Sequence, residues 1–122
     1  MHATESWNIT GKGAGTYPVV MGNQGGGINS GRNYIMGGRY AYDAVATWGG
    51  GNAELQKLGP DGSTYVNILD TFNNAGTEAD LEVGKFSANG SKCLDLSPGI
   101  YQVVITTATG ASIALTRVPV SS

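Results

Sequence analysis

Cysteine and histidine each occur once in this 122-residue chain, as Cys93 and His2. A single thiol excludes an intrachain disulfide, and with it a small scaffold stapled by disulfides. One histidine and one cysteine also fall short of the three or four protein ligands that a zinc site needs, so no metal set is expected. A histidine-based acyl-transfer triad would rest on His2, at the start of a stretch with no pattern to hold its ring in place. Charge is scarce as well. Charged residues make up 13% of the chain, about half the usual level of roughly 25%. The net charge is −2, the pI is near 5.1, and the seven basic residues are scattered from Lys12 to Arg117. That distribution gives no basic footprint, and nucleic acid is not expected as a partner.

Long apolar runs are missing too. Nothing approaches the roughly 18 residues of a membrane span, and residues 1–7 carry neither the positive region nor the apolar stretch of a secretory signal. The expectation is a soluble chain made in the cytoplasm, with no membrane partner. In that compartment the sequons Asn8-Ile9-Thr10 and Asn89-Gly90-Ser91 are chance matches.

What the chain has in excess is glycine: 20 residues, more than double the roughly 7% typical of proteins. Nine of them fall in residues 1–37, between short apolar patches at Val19-Val20-Met21 and Tyr34-Ile35-Met36. Glycine loses the most conformational freedom on ordering, so this region reads either as an extended N-terminal arm that orders on a partner or as a floppy, locally hairpinned leader. Trp7, Tyr17 and Tyr34 are its candidate anchors.

From Gly38 to the C-terminus at Ser122 the pattern changes to β-branched and aromatic runs with turn signals every eight to twelve residues. This predicts an all-β domain over 38–122, a small antiparallel sandwich of about seven strands, jelly-roll or immunoglobulin-like in its connections. In 39–48 the residues Tyr40, Tyr42, Ala44, Ala46 and Trp48 alternate with polar ones, as in a half-buried strand. Gly59-Pro60-Asp61-Gly62 predicts a hairpin joining strands at 53–58 and 64–69. Asn89-Gly90 suits a type I′ turn between 81–87 and 92–96, and residues 70–80 form a polar loop. Strands follow at 100–107 and 111–118. Tyr101, entering its strand after Ser97-Pro98-Gly99, occupies the place of the corner tyrosine of immunoglobulin-like sandwiches.

No catalytic or cofactor-binding set emerges. Glu78, Asp80 and Glu82 alternate and would share one face of a strand, which reads as a solvated acidic edge. A glycosidase would need two carboxylates facing across a cleft, for which Asp43 and Glu54 are the pair to check. Gly11-Lys12-Gly13-Ala14-Gly15 lacks the spacing of a phosphate loop. Trp48, on the inward face of its strand, is read as core rather than as a platform for a sugar ring.

The segments Gly38-Arg39-Tyr40-Ala41-Tyr42, Ala53 to Ser63 through Gly59-Pro60-Asp61-Gly62, Ala88-Asn89-Gly90, Ser97-Pro98-Gly99-Ile100-Tyr101 and Arg117-Val118-Pro119 carry a resemblance. The chain resembles the small structural proteins of tailed bacteriophages, the capsid decoration or cement proteins. The resemblance covers residues 38–119 and implies no catalytic residue. It implies a virion protein on the capsid surface, with the major capsid protein or other virion subunits as partners and self-association on the shell. The alternatives are a carbohydrate-binding sandwich module and a tail or head-fibre component.

Overall fold

Alternation of apolar and polar residues, broken by turn residues, gives nine strands and no helix among the residues described by the computed structural model, which are 6–20, 34–35, 37–69 and 83–118. The strands are β1 (Ser6–Lys12), β2 (Gly15–Pro18), β3 (Gly38–Thr47), β4 (Asn52–Leu58), β5 (Tyr65–Asn67), β6 (Lys85–Phe86), β7 (Gly90–Leu96), β8 (Tyr101–Thr106) and β9 (Thr109–Arg117). They form two sheets: a first sheet in the order β1-β9-β3-β7, and a second in the order β2-β8-β4-β5 with β6 also on β4. All pairings are antiparallel. The expected sandwich is therefore present, and β3 to β9 are the seven strands expected after Gly38.

The pairings are nested. β1 pairs with β9, β2 with β8, β3 with β7, and β4 with β5 and β6. This is one long antiparallel hairpin rolled up, and the lateral pairs β3 with β9 and β4 with β8 seal the roll into two sheets. Consecutive strands alternate between sheets except at β4, β5 and β6. That is the connectivity of a jelly roll, not of an immunoglobulin-like sandwich.

Three sequence expectations change. Residues 6–20, expected in the arm, are part of the sandwich: β1 and β2 are the edge strands beside β9 and β8. Their period-2 pattern is short but sufficient, because Trp7 and Val19 each bury an apolar side chain in the shared core. The Asn89-Gly90 turn is not a hairpin, since β6 lies on β4 in the second sheet and β7 on β3 in the first. Neither Asn89 nor Gly90 takes the positive φ that a type I′ turn requires. Instead the Asn89 Oδ1 accepts from the Ala46 amide (3.0 Å) and the Trp48 indole (2.9 Å), pinning the crossover to the end of β3. Finally, the strand expected over 64–69 is only Tyr65–Asn67, and of that expected over 81–87 the described residues form only Lys85–Phe86.

The hairpin at Gly59-Pro60-Asp61-Gly62 forms as expected. Gly62 takes φ +76°, and the Gly59 amide donates to the Thr64 carbonyl at 2.6 Å. Asp61 accepts from the amides of Ser63 and Thr64 and from the Thr64 hydroxyl. Led by the Ser63 amide, these bonds hold its carboxyl down to about 2.

The core lies between the sheets. Tyr40, Tyr42 and Ala44 of β3, Ala53 and Leu55 of β4, Tyr101, Val103 and Ile105 of β8, and Ala111, Ile113 and Leu115 of β9 are buried there in strict alternation. The Tyr101 hydroxyl donates to the Ser97 carbonyl at 2.7 Å, four residues upstream, so the corner-tyrosine contact is made on a jelly-roll connection.

Both edges of the second sheet are interrupted in the same way. Val19 donates to the Tyr101 carbonyl and Ile35 to the Gly99 carbonyl, two residues further along the same edge. On the other edge β5 ends at Asn67 opposite Gln56, and the edge resumes where Leu55 donates to the Gly84 carbonyl and Lys85 pairs with Glu54. The intervening residues 20–34 and 68–83 are thus insertions whose ends meet in register. The second is also tied at its base by the Val83 amide on the Ile68 carbonyl at 3.2 Å.

Candidate binding surfaces

The three candidate anchors are not brought together. Trp7 is 3% exposed and belongs to the core of the sandwich. Tyr17 pairs with Val103, so it faces inward from β2; it is half-buried, and its hydroxyl donates to the Gly13 carbonyl at 2.8 Å. Only Tyr34, 44% exposed beside the Ile35 and Gly99 bridge, presents an aromatic surface. Most of the remaining arm, residues 1–5, 21–33 and 36, lies outside the described residues, as do Glu78, Asp80 and Glu82.

Asp43 and Glu54 do not converge on a cleft. Asp43 alternates with the buried Tyr42 and Ala44 on the outer face of the first sheet, where it accepts from the Ser91 hydroxyl. Glu54 alternates with the inward Ala53 and Leu55 of the second sheet. Trp48, expected in the core, lies just past the end of β3 and is only half-buried against the core, with its indole N–H held by Asn89.

The polar groups at the β6 corner stitch the sheets together. The Tyr42 hydroxyl donates to the Gly84 carbonyl at 2.8 Å, and the Lys92 ammonium donates to the carbonyls of Val83 and Lys85 at 3.0 and 2.7 Å. The ammonium also sits 4.7 Å from the centre of the Phe86 ring, which packs on Tyr42. Burial pushes the Tyr42 phenol far above its ordinary range, and the charge of Glu54 adds to this. Burial lowers Lys92, against the opposing charge of Glu54. A tyrosine held protonated and a lysine spent on backbone carbonyls are cross-braces.

The outer faces of the two sheets differ. On the second sheet an amide ladder crosses three strands: Gln102 donates to Gln56 and Gln56 to Asn67, both at 2.9 Å. On the first sheet, the central cross-strand rows consist of small side chains, with Arg39 opposite Asp95 at one end. One row runs Ser6, Thr116, Ala41, Cys93, and the next runs Asn8, Ala114, Asp43, Ser91. Around the second row Asn8, Thr10, Asp43, Val45, Ser112 and Ala114 line a shallow, mainly apolar recess of about 210 Å³, with Val45 57% exposed. This low-relief face was not singled out from the sequence, although a period-2 trace of small residues, Ser112, Ala114 and Thr116, encodes it. No protein-family model matches the chain, and no curated protein matches its sequence.

Proposed function

We propose that the chain is a non-catalytic virion structural protein, a capsid decoration or cement protein, that binds the outer shell through the outer face of its first sheet. The observation that carries the reading is that face: four strands wide, floored by Ser, Thr, Ala, Cys and Asn with Asp43 among them, and with the exposed Val45 beside a mainly apolar recess. A surface on which long charged side chains are few, with Arg39 opposite Asp95 at one end, loses little on desolvation and can lie flat against another surface. Four strands about 4.8 Å apart and roughly seven residues long present about 450 Å². A standard interface buries about 800 Å² per partner, so this face supplies roughly half of one. Binding assembled shells and not their unfolded subunits would stabilise the shell by mass action. The sugar-binding alternative is disfavoured by Trp48, whose ring is half-buried and whose N–H is engaged by Asn89.

Co-sedimentation with empty, mature shells of tailed bacteriophages tests this. The full chain is expected to bind saturably, and Ala114→Arg, which places a long charged side chain on the face, is expected to bind at least about tenfold more weakly with its melting temperature little changed. No binding to any shell, or equal binding by Ala114→Arg, would refute the reading.

A further inference from the structure

Of the four sheet edges in the roll, three carry devices that block the addition of another strand. β1 has a register shift between Ile9 and Lys12 with Gly11 at φ +67°. β2 is four residues long and ends on Pro18, and the opposite edge of its sheet is broken between β5 and β6. β7 has none of these. It pairs with β3 over seven consecutive positions, from Gly38 opposite Leu96 to Ala44 opposite Gly90, without a shift or a proline. Among the described residues it has no strand on its other side.

We infer that β7 is a dimerisation edge, on which the β7 of a second copy of this chain pairs antiparallel about a two-fold axis normal to the first sheet. The register that pairs all seven residues centres on Cys93, which then lies opposite its own copy. It sets Asp95 opposite Ser91 and Lys92 opposite Leu94, so no like charges meet. It also keeps the faces in phase. The row Ser6, Thr116, Ala41, Cys93 continues into the same row reversed, and two four-stranded sheets become one of eight strands. The small-residue face doubles to about 900 Å², the size that one side of a standard interface requires. The pairing concerns the free protein and does not depend on shell binding.

Sedimentation equilibrium of the full chain from roughly 10 µM to 1 mM, a range suited to a small interface, tests the pairing. Wild type and Cys93→Ser are expected to become dimers with rising concentration. Cys93→Lys is expected to stay monomeric, because two ammonium groups would start from Cβ atoms about 5 Å apart. Cys93 is exposed, so the folded state accommodates the lysine. Amide exchange of the wild type gives a second measurement that needs no variant: β7 amides gain protection with concentration while those of β1 do not. Wild type monomeric throughout, a Cys93→Lys dimer as strong as wild type, or β7 exchange independent of concentration would each overturn the inference.

Discussion

Among the described glycines, Gly51 has the least room to change. A Cβ there would lie 1.9 Å from the Thr106 carbonyl oxygen and 2.7 Å from the Ala108 nitrogen. Those atoms close a three-residue turn in which the Ala108 amide donates to the Thr106 carbonyl at 2.7 Å and Thr107 is held at φ +68°. Such a conformation is rare and costly for a β-branched residue, so the turn between β8 and β9 has no slack with which to accommodate a methyl group. Gly51→Ala is expected to cost about 3 kcal/mol and lower the melting temperature by about 10 °C, measured by calorimetry. Neither constraint is visible in Gly49-Gly50-Gly51 as a string, because three adjacent glycines look alike until the chain returns past one of them. Trp7 shows the same limit. Its neighbours look like a glycine-rich leader, and only β9, more than a hundred residues away, gives its ring a place to be buried.

The elements legible in the sequence are those whose cause is local. β3 follows from its own alternation, and the β4 to β5 hairpin from Pro60, Asp61 and Gly62. The β6 to β7 connection was not legible, because Asn-Gly favours a hairpin only when both flanking strands belong to one sheet. The first glycine-rich insertion was hidden for a related reason. Composition marks residues 20–34 as unfit for a core, but not that Val19 and Ile35 return to the same edge of β8. Deleting residues 21–34 would join Val20 to Ile35 and leave Val19, Val20 and Ile35 opposite Tyr101, Ile100 and Gly99 as one continuous strand. The shortened chain is expected to fold with stability unchanged or raised by about 1 kcal/mol, since closing a 14-residue loop is no longer needed. Denaturant titration checks this, and a loss of more than about 2 kcal/mol would show that the insertion contributes to the core.

At the scale of the whole molecule, the nested pairing decides how the chain reaches its fold. Ser6 pairs with Thr116, and every strand pairing except the β4 to β5 hairpin joins segments distant in sequence. Loop-closure entropy must be met before these contacts contribute, so refolding is expected in the range of milliseconds to seconds rather than microseconds. Stopped-flow fluorescence should show it, because Trp7 passes from solvent into the core only when β1 docks. The all-β class and the inward face of β3 were readable from the sequence, whereas the roll was not, because alternation names a strand's face and never its neighbour.

The union of β1 with β9 has a further meaning during synthesis. At roughly 5 to 20 residues per second, about 5 to 20 seconds pass between the emergence of the first strand from the ribosome and that of its partner. Throughout that interval Trp7 has no site to occupy, and the sandwich cannot be completed one strand at a time as the chain is made. Synthesis interrupted before β9 therefore leaves the first sheet without the strand that joins β1 to β3, so the closed roll is itself a mark of a chain translated past β9.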